Sequence, residues 1–263
     1  MNAASARSFL FVPGDRPERF AKAAGSGADA VVLDLEDAVA PAARPKALEH
    51  VLAWLDAGNP AVVRVNGVGT ATHDAELAAL AGRSVVVMLP KTDSAAQVAA
   101  VRARVGQVLA LVETAQGVTA ADEICAAGVV RLALGTVDLA AELGVDPASP
   151  SAFAYSRGRL VMASAAAGLP APVDGVTVRL DDPSVLDDDL VRARELGLGA
   201  KLCVHPRQVA AVNAAFSPSA AEVAWAERIV QAAEASSSGV VVVDGAMVDA
   251  PVVTRARRLL SRV

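Results

Sequence analysis

Short runs rich in valine, leucine and isoleucine recur along this chain at intervals of about 25 residues. Each run is followed by an alanine-rich stretch whose apolar residues have helical spacing. Strands that alternate with helices are typical of βαβ units, which place their strands side by side in a parallel sheet. This repetition therefore predicts an α/β fold with parallel strands.

Eight strand-like runs are present, and predicted helices follow them, for example over Pro17–Gly25, Ser94–Arg104 and Pro183–Leu196. The predicted strands are Ser8–Pro13, Ala30–Asp37, Ala61–Asn66, Val85–Lys91, Val108–Thr114, Val129–Gly135, Gly175–Leu180 and Gly199–His205. Eight strand–helix units match a closed (β/α)8 TIM barrel better than an open doubly wound sheet, which stays as the alternative.

No low-complexity linker divides the chain, and its weakest point is Glu234–Gly239 (EASSSG). We predict a barrel over residues 1–216 and a C-terminal helical extension over residues 217–263. The extension should contain a helix at Ser219–Ala235, a short strand and a last helix. We expect it to cap a barrel mouth, either its own or that of a neighbouring subunit.

The composition argues against several classes of partner and compartment. Hydrophobic residues make up 54% of the 263 residues and aromatic residues only 3%, which suits parallel strands covered by helices. The formal net charge of −5, with scattered basic residues, argues against a nucleic-acid partner. No signal-peptide pattern or membrane-spanning run is present, so we expect a cytoplasmic protein without a membrane partner. Cys125 and Cys203 are expected to be reduced core residues.

Charged and polar side chains are concentrated where the predicted strands end. They are Asp34, Glu36, Asp37, Arg64, Lys91, Glu113, Asp138 and His205. In a barrel these strand ends meet at the face that carries the active site. Because a buried charge costs several kcal/mol unless it is paired or binds a ligand, the concentration predicts a site.

Two of these carboxylates, Glu113 and Asp138, follow adjacent strands. Two carboxylates together with water are a usual Mg²⁺ site. Arg64 lies one strand away from Glu36 and Asp37, with which it could pair while it presents its guanidinium to an anion.

Structural interpretations of single residues stay open. Asp34, Lys91 and Asp138 could each form a structural ion pair or cap a helix. His205, which precedes Pro206, could cap the last barrel helix. The sequence contains no phosphate-binding P-loop, complete dinucleotide fingerprint, GxSxG or HExxH motif, and its three histidines do not favour a zinc site.

The chain resembles the citrate lyase β-subunit-like branch of the HpcH/HpaI aldolase family over nearly its whole length. The motifs that carry the resemblance are RSFLFVPG (7–14), GADAVVLDLEDAV (27–39), VRVN (63–66), LPK (89–91), VETA (112–115), GTVDL (135–139), KLCVHP (201–206) and MVDAP (247–251). The chain departs from many relatives at Val137, where they have a glutamate.

The resemblance implies a (β/α)8 barrel that assembles as a homotrimer or hexamer and binds Mg²⁺ and a coenzyme A thioester. It implies that Glu113 and Asp138 hold the metal. Arg64 would contact the acid and steady an enolate. Glu36 and Asp37 would hold metal-bound water and Arg64.

The resemblance also implies an acid/base group and a substrate-binding surface. Asp249 would enter the neighbouring subunit's site as the acid/base group. Arg16 and Lys22 would contact the phosphates of coenzyme A. Gly135 and Thr136, which precede Asp138, would contact the substrate.

The expected activity is a Mg²⁺-dependent carbon–carbon lyase that cleaves or forms a short hydroxyacyl-CoA, such as citramalyl-, malyl- or citryl-CoA, with acetyl-CoA and a keto acid as products. One alternative is a Schiff-base aldolase that uses Lys91. Others are a metal-dependent aldolase on free keto or hydroxy acids, a citrate lyase β-type subunit active only within a complex, and an inactive CoA-binding module.

Overall fold

The computed structural model of the chain describes residues 2–236 and 239–261. It consists of two compact units, of which the first ends at Asn213 and the second begins at Ala214. The division falls within the helix Val209–Phe216, close to the boundary predicted after residue 216.

The first unit is a closed barrel of eight parallel strands in chain order, in which β1 pairs with both β2 and β8. The strands are β1 Ser8–Pro13, β2 Ala30–Asp34, β3 Val62–Arg64, β4 Val86–Leu89, β5 Gln107–Val112, β6 Arg131–Leu134, β7 Val173–Asp174 and β8 Ala200–Cys203. The predicted (β/α)8 barrel is confirmed, and because the first strand pairs with the eighth, the open-sheet alternative is wrong.

Helices follow the strands along the chain. They are α1 Phe20–Ala24, α2 Arg44–Asp56, α3 His73–Leu80, α4 Ala95–Val105, α5 Ala115–Thr119, α6 Ala121–Ala126, α7 Thr136–Leu143, α8 Ala154–Ala166, α9 Pro183–Glu195 and α10 Val209–Phe216, with 3₁₀ turns at Pro17–Arg19, Pro41–Ala43 and Pro206–Gln208. The three helices predicted as examples are confirmed. Ser94 and Asp182 cap α4 and α9 with their side chains, as serine and aspartate commonly do at helix starts.

The predicted strand Gly175–Leu180 is wrong, because β7 is the two residues before it and residues 175–180 form a loop. This loop is held by hydrogen bonds from side chains and not by pairing with a neighbouring strand. Thr177 donates from Oγ1 to Asp189 at 2.6 Å, and Gln208 donates from Nε2 to the Thr177 carbonyl at 2.8 Å. β2 also ends earlier than predicted, at Asp34, so Glu36 and Asp37 lie in the turn after the strand.

The barrel interior is filled by alternate residues of the strands, as the two-residue period of a strand requires. These buried side chains form one cluster, which includes Phe9, Val32, Val62, Met88, Leu109, Leu111, Ala133, Val173 and Leu202. Arg64 continues the inward series of Val62 on β3, so the polar site lies directly above an apolar core.

The second unit contains α11 Ala220–Glu234, the antiparallel strands β9 Val241–Val243 and β10 Ala246–Val248, and α12 Ala250–Leu260. The two helices and β9 follow the predicted order, but β10 was missed. Asp244 and Gly245 form the two-residue turn of the hairpin with φ of 52° and 79°. An Asp-Gly pair between apolar runs is the common signal for such a hairpin, so the sequence did carry it.

Both cysteines are buried and free, which confirms their predicted position in the core. Across residues 2–236 and 239–261, the structure contains no helix that is long and apolar enough to cross a membrane.

Candidate active site at the carboxyl ends of the strands

Arg64 is held in place by Asp34, which lies opposite it in the β2–β3 register. Arg64 donates from Nε to Asp34 Oδ1 at 2.6 Å and from Nη2 to Oδ2 at 2.7 Å. The same two oxygens accept the backbone N–H groups of Glu36 and Ala38, each at 3.0 Å. Asp34 is therefore a structural anchor that fixes both the guanidinium and the turn after β2.

The remaining edge of Arg64 faces two further carboxylates. Its Nη1 lies 3.2 Å from Glu36 Oε2 and 3.3 Å from Asp37 Oδ2. The guanidinium carbon lies 4.9 Å from the centre of the Phe11 ring. Burial alone would lower the pKa of Arg64, but the hydrogen bond to Asp34 and the charges of the carboxylates raise it. Arg64 is thus a fixed cation at the top of the barrel.

Glu36 links Arg64 to Lys91. Its side chain is buried, and Oε1 accepts a hydrogen bond from Lys91 Nζ at 2.7 Å. Burial raises the pKa of Glu36, although the charges of Arg64 and Lys91 act against this. For Lys91, burial lowers the pKa, but the bond to Glu36 and the charges of Glu36 and Glu113 outweigh it and raise the pKa. A Schiff base requires a neutral amine, so this environment argues against the Lys91 aldolase.

Glu113 follows the last residue of β5 and is only 2% exposed. Its Oε1 accepts the backbone N–H of Lys91 at 2.8 Å, and Lys91 adopts a left-handed conformation with φ of 48° to present that group. Burial raises the pKa of Glu113 to about 8. The Lys91 N–H acts in the opposite direction, and the negative charges of Asp138 and Glu36 add to the increase.

Asp138 lies half-buried in the first turn of α7, close enough to Glu113 for its charge to act on that carboxyl. Among the described residues, no group of three His, Cys, Asp or Glu side chains converges as a metal site. Glu113 and Asp138 would supply two hard oxygen ligands, a set that suits Mg²⁺ because this ion keeps several waters. The pKa of Glu113 is raised mainly by burial and further by the charges of Asp138 and Glu36, and a dication would favour the ionised form of this carboxyl against both effects. These residues therefore fit the ion.

Gly135 and Thr136 connect β6 to this carboxylate pair. A Cβ atom added to Gly135 would lie 2.5 Å from the Cβ of Glu113 and would contact Oε2 as well. Only glycine leaves room for the Glu113 carboxylate at this point. Thr136 is buried, and the following Val137 is 49% exposed.

The predicted coenzyme A contacts lie on exposed surface. Arg16 is exposed, and its Nε lies 3.2 Å from Glu18 Oε1. Lys22 is exposed on α1 and contributes, after burial and Arg207, to the lowered pKa of His205. His205 caps the 3₁₀ turn before α10, because its Nδ1 accepts the Arg207 N–H at 3.1 Å. The capping prediction for His205 is therefore confirmed.

Asp249 belongs to the second unit and caps α12. Its Oδ1 accepts the backbone N–H of Val252 at 3.3 Å. Most of the other predicted residues form one cluster in the first unit, namely Glu36, Asp37, Arg64, Lys91, Glu113 and, through its charge, Asp138. Gly135 lies against Glu113 and is followed by the buried Thr136, whereas Arg16 and Lys22 are exposed.

The sequence left two features of the site undetected. The anchoring role of Asp34 follows from the register of two parallel strands, and a pairing argument between Asp34 and Arg64 would have found it. The Lys91 N–H that holds Glu113 depends on a left-handed backbone, for which a lysine gives no signal.

Comparisons with known proteins show which family the chain belongs to. The family model HpcH/HpaI aldolase/citrate lyase matches residues 7–206. A citrate lyase subunit beta-like protein of Mycobacterium tuberculosis is 41% identical over 267 residues, which cover 98% of this chain and 96% of that protein. A (3S)-malyl-CoA thioesterase of Cereibacter sphaeroides is 38% identical over 269 residues, which cover 97% and 94%.

A similar solved structure is that of CitE from M. tuberculosis in complex with magnesium, acetoacetate and coenzyme A. It has a TM-score of 0.86 and 39% identity, and the match covers 100% of this chain and 99% of that one. Family model, relatives and solved structure all span the barrel and its carboxylate cluster, and the chain belongs to the HpcH/HpaI aldolase/citrate lyase family.

Proposed function

We propose that this lyase-type enzyme is a Mg²⁺-dependent carbon–carbon lyase that cleaves a short hydroxyacyl-CoA thioester into acetyl-CoA and a keto acid, or runs the reverse condensation. The observation that carries the proposal is the buried Glu113 beside Asp138, with the fixed Arg64 cation in the same cluster. The M. tuberculosis CitE complex with magnesium, acetoacetate and coenzyme A supports the same ligand classes.

Five residues of the cluster have a part in the proposed reaction. Glu113 and Asp138 would hold the ion, which supplies Lewis-acid stabilisation of the oxygens of the acid half. The bond between the hydroxyl-bearing carbon and the thioester α-carbon breaks, and its electron pair forms a thioester enolate. Arg64 donates a hydrogen bond to the enolate oxygen, while Glu36 and Asp37 hold its Nη1 edge.

The proposed reaction moves two protons. The hydroxyl proton is released to water as that carbon becomes a carbonyl. Asp249 delivers a proton to the enolate carbon and completes acetyl-CoA. We also propose that Gly135 and Thr136 line the acid subsite and that Arg16 and Lys22 bind the phosphates of coenzyme A, since a lysine and an arginine on an exposed surface suit that charge.

We further propose a homotrimer or hexamer in which Asp249 acts in the site of a neighbouring copy. Mixing Glu113→Ala protein with Asp249→Asn protein after dissociation tests this arrangement. Equal mixing should restore about a quarter of the sites, because each restored site combines a metal pair from one variant with the acid from the other. Mixtures without activity, from variants that reassemble normally, would contradict action between subunits.

The first experiment is an assay of hydroxyacyl-CoA thioesters with Mg²⁺, in which acetyl-CoA, keto acid and free thiol are measured together. The panel contains malyl-, citramalyl- and citryl-type thioesters, which differ by a methyl or carboxymethyl group close to the proposed metal. We expect equal amounts of acetyl-CoA and keto acid, loss of activity in EDTA, and loss in Glu113→Ala. Glu123→Ala is the matched control, because it makes the same change at an exposed position on α6.

The other outcomes separate the alternatives. Free thiol without keto acid would identify a thioesterase, the activity in the name of the C. sphaeroides relative. Keto acid released from free acids would identify an aldolase that does not need coenzyme A. No turnover by folded protein that binds Mg²⁺ would favour a subunit active only within a complex.

A further inference from the structure

A buried ionic cluster lies on the outer side of the barrel at its shortest strand. β7 has two residues and pairs with β6 through a single residue, Val173 opposite Ala133. The cluster is centred on Asp174, the second residue of β7. Asp174 makes no direct contact with the residues of the proposed reaction. Lys201 of β8 and Arg157 of α8 are its partners, and all three side chains are buried.

The contacts around Asp174 are close. Arg157 donates from Nε to Asp174 Oδ1 at 2.7 Å, and Lys201 Nζ lies 3.1 Å from Oδ2. Burial alone would raise the pKa of Asp174, but the charges of Lys201 and Arg157 hold it below its usual value. An ionised Asp174 and a Lys201 that is 1% exposed therefore form a desolvated ion pair. Such a buried pair contributes little net stability, because the cost of removing both charges from water offsets their attraction.

Lys201 also extends the cluster toward the carboxylate site. Its Nζ donates to the carbonyl oxygen of Gly175 at 2.8 Å. Gly175 lies against Thr136, and a Cβ atom added there would be 2.6 Å from Thr136 Oγ1 and 2.7 Å from Cγ2. Thr136 begins α7, whose first turn carries Asp138. Each link is thus a direct contact, from Lys201 through Gly175 to the start of α7.

We infer that Lys201 is a positioning residue that holds Gly175 against Thr136 and thereby sets the place of Asp138 relative to Glu113. The inference rests on the proposed metal role of these two carboxylates. Without the Lys201 ammonium, the Gly175 carbonyl loses its donor and Asp174 keeps only Arg157. The loop after β7 then no longer fixes the start of α7.

The test is direct Mg²⁺ binding by calorimetry on metal-free protein, with Mn²⁺ binding by electron paramagnetic resonance as a second readout. Lys201→Met replaces the lysine by an unbranched side chain that is one atom shorter and removes its charge and its donors. We expect its Kd for Mg²⁺ to rise about tenfold, the low end of the range for groups that orient metal ligands. Lys201→Arg, which keeps a donor and the charge, should recover part of that loss.

Arg131→Met is the matched control. Arg131 is a buried cation at the opposite end of the barrel, where it donates to the carbonyl oxygens of Ala6 at 2.6 Å and Ala171 at 2.7 Å. Its loss should lower the melting temperature and leave the Kd for Mg²⁺ unchanged. A purely structural role of Lys201 would give both variants the same pattern, and that result would overturn the inference.

Gly175→Ala tests the contact between Gly175 and Thr136 while Lys201 stays in place. This variant also tests the inference if Lys201→Met does not fold. Gly175→Ala should raise the Kd for Mg²⁺ by a similar factor. The double variant Gly175→Ala/Thr136→Ala should regain most of the lost affinity, because alanine at position 136 lacks the Oγ1 and Cγ2 atoms that the new methyl would meet. Wild-type Mg²⁺ affinity in Gly175→Ala would refute the link. If the wild-type protein itself binds no Mg²⁺, the proposed function fails first, so the two failures are distinguishable.

Discussion

Gly135→Ala should damage the proposed metal site with little change elsewhere. Gly135 has φ of −99° and ψ of 101°, values that alanine adopts freely, so the substitution adds no backbone strain. The new methyl would lie 2.5 Å from the Cβ of Glu113, whereas carbon atoms in normal contact are about 3.5 Å apart. The Glu113 side chain must therefore withdraw by roughly 1 Å.

A shift of that size is large for Mg²⁺, which requires near-ideal geometry with oxygen ligands at about 2.0–2.1 Å. We expect kcat/KM to fall about 100-fold and the Kd for Mg²⁺ to rise, since a displacement of about 1 Å at a reacting centre has that order of effect. Overpacking should lower the free energy of unfolding by about 1–3 kcal/mol.

The assay combines steady-state kinetics, Mg²⁺ calorimetry and thermal unfolding. Gly158→Ala is the control, because Gly158 lies in the middle of α8 with no atom within 4 Å of an added Cβ. That variant should be about as active as wild type and more stable by up to about 1 kcal/mol, as alanine favours a helix over glycine. Wild-type kcat/KM and Mg²⁺ affinity in Gly135→Ala would refute the steric reasoning.

Five further predictions concern the proposed reaction and its residues. Arg64→Lys should lower kcat/KM about 100-fold at constant Mg²⁺ affinity, measured by kinetics and calorimetry, because lysine cannot bind Asp34 with two parallel hydrogen bonds. The Kd for Mg²⁺ should fall about tenfold per pH unit up to pH about 8, since binding requires ionised Glu113, and level off above. In EDTA, the Glu113 carboxyl keeps its proton up to pH about 8 in the folded protein but only up to pH 4.5 in the unfolded chain. The free energy of unfolding, measured by denaturant melts, should therefore decline as pH rises between these two values. Asp249→Asn should lower kcat with little change in Mg²⁺ affinity; full activity would remove it as the acid. Borohydride with a keto acid should leave no adduct on Lys91, as mass spectrometry can check.

The number and order of the barrel strands could be predicted because buried parallel strands are nearly continuous apolar runs. β7 was misplaced for the same physical reason. Val173 and Asp174 are too short a run to stand out, whereas residues 175–180 (GVTVRL) have the composition of a strand but lack a strand partner on either side. Strand pairing across the barrel decided the outcome there, and no local pattern reports such pairing.

The site could be predicted as a set of residue types at strand ends, because burying charges is costly enough to mark a function. Its internal connections could not. The sequence pairs Arg64 with Glu36 and Asp37, but the shortest contacts are to Asp34, and the Glu113 carboxylate depends on a backbone N–H. Which partner each side chain contacts depends on small differences in distance between strands that are far apart in the chain.

The charge balance of the cluster gives a physical reason for a dication. Five carboxylates gather around two cations, namely Asp34, Glu36, Asp37, Glu113 and Asp138 around Arg64 and Lys91. Arg64 is already engaged by Asp34 on one edge, so a carboxylate substrate would meet a surplus of negative charge. In the protein without metal, part of that surplus is relieved by the proton that the raised pKa keeps on Glu113. A divalent ion would replace that proton, leave the proposed ligands Glu113 and Asp138 ionised and attract an anionic acid that the cluster alone would repel. Metal and acid should therefore bind in order, with the acid showing measurable affinity only after Mg²⁺ is present.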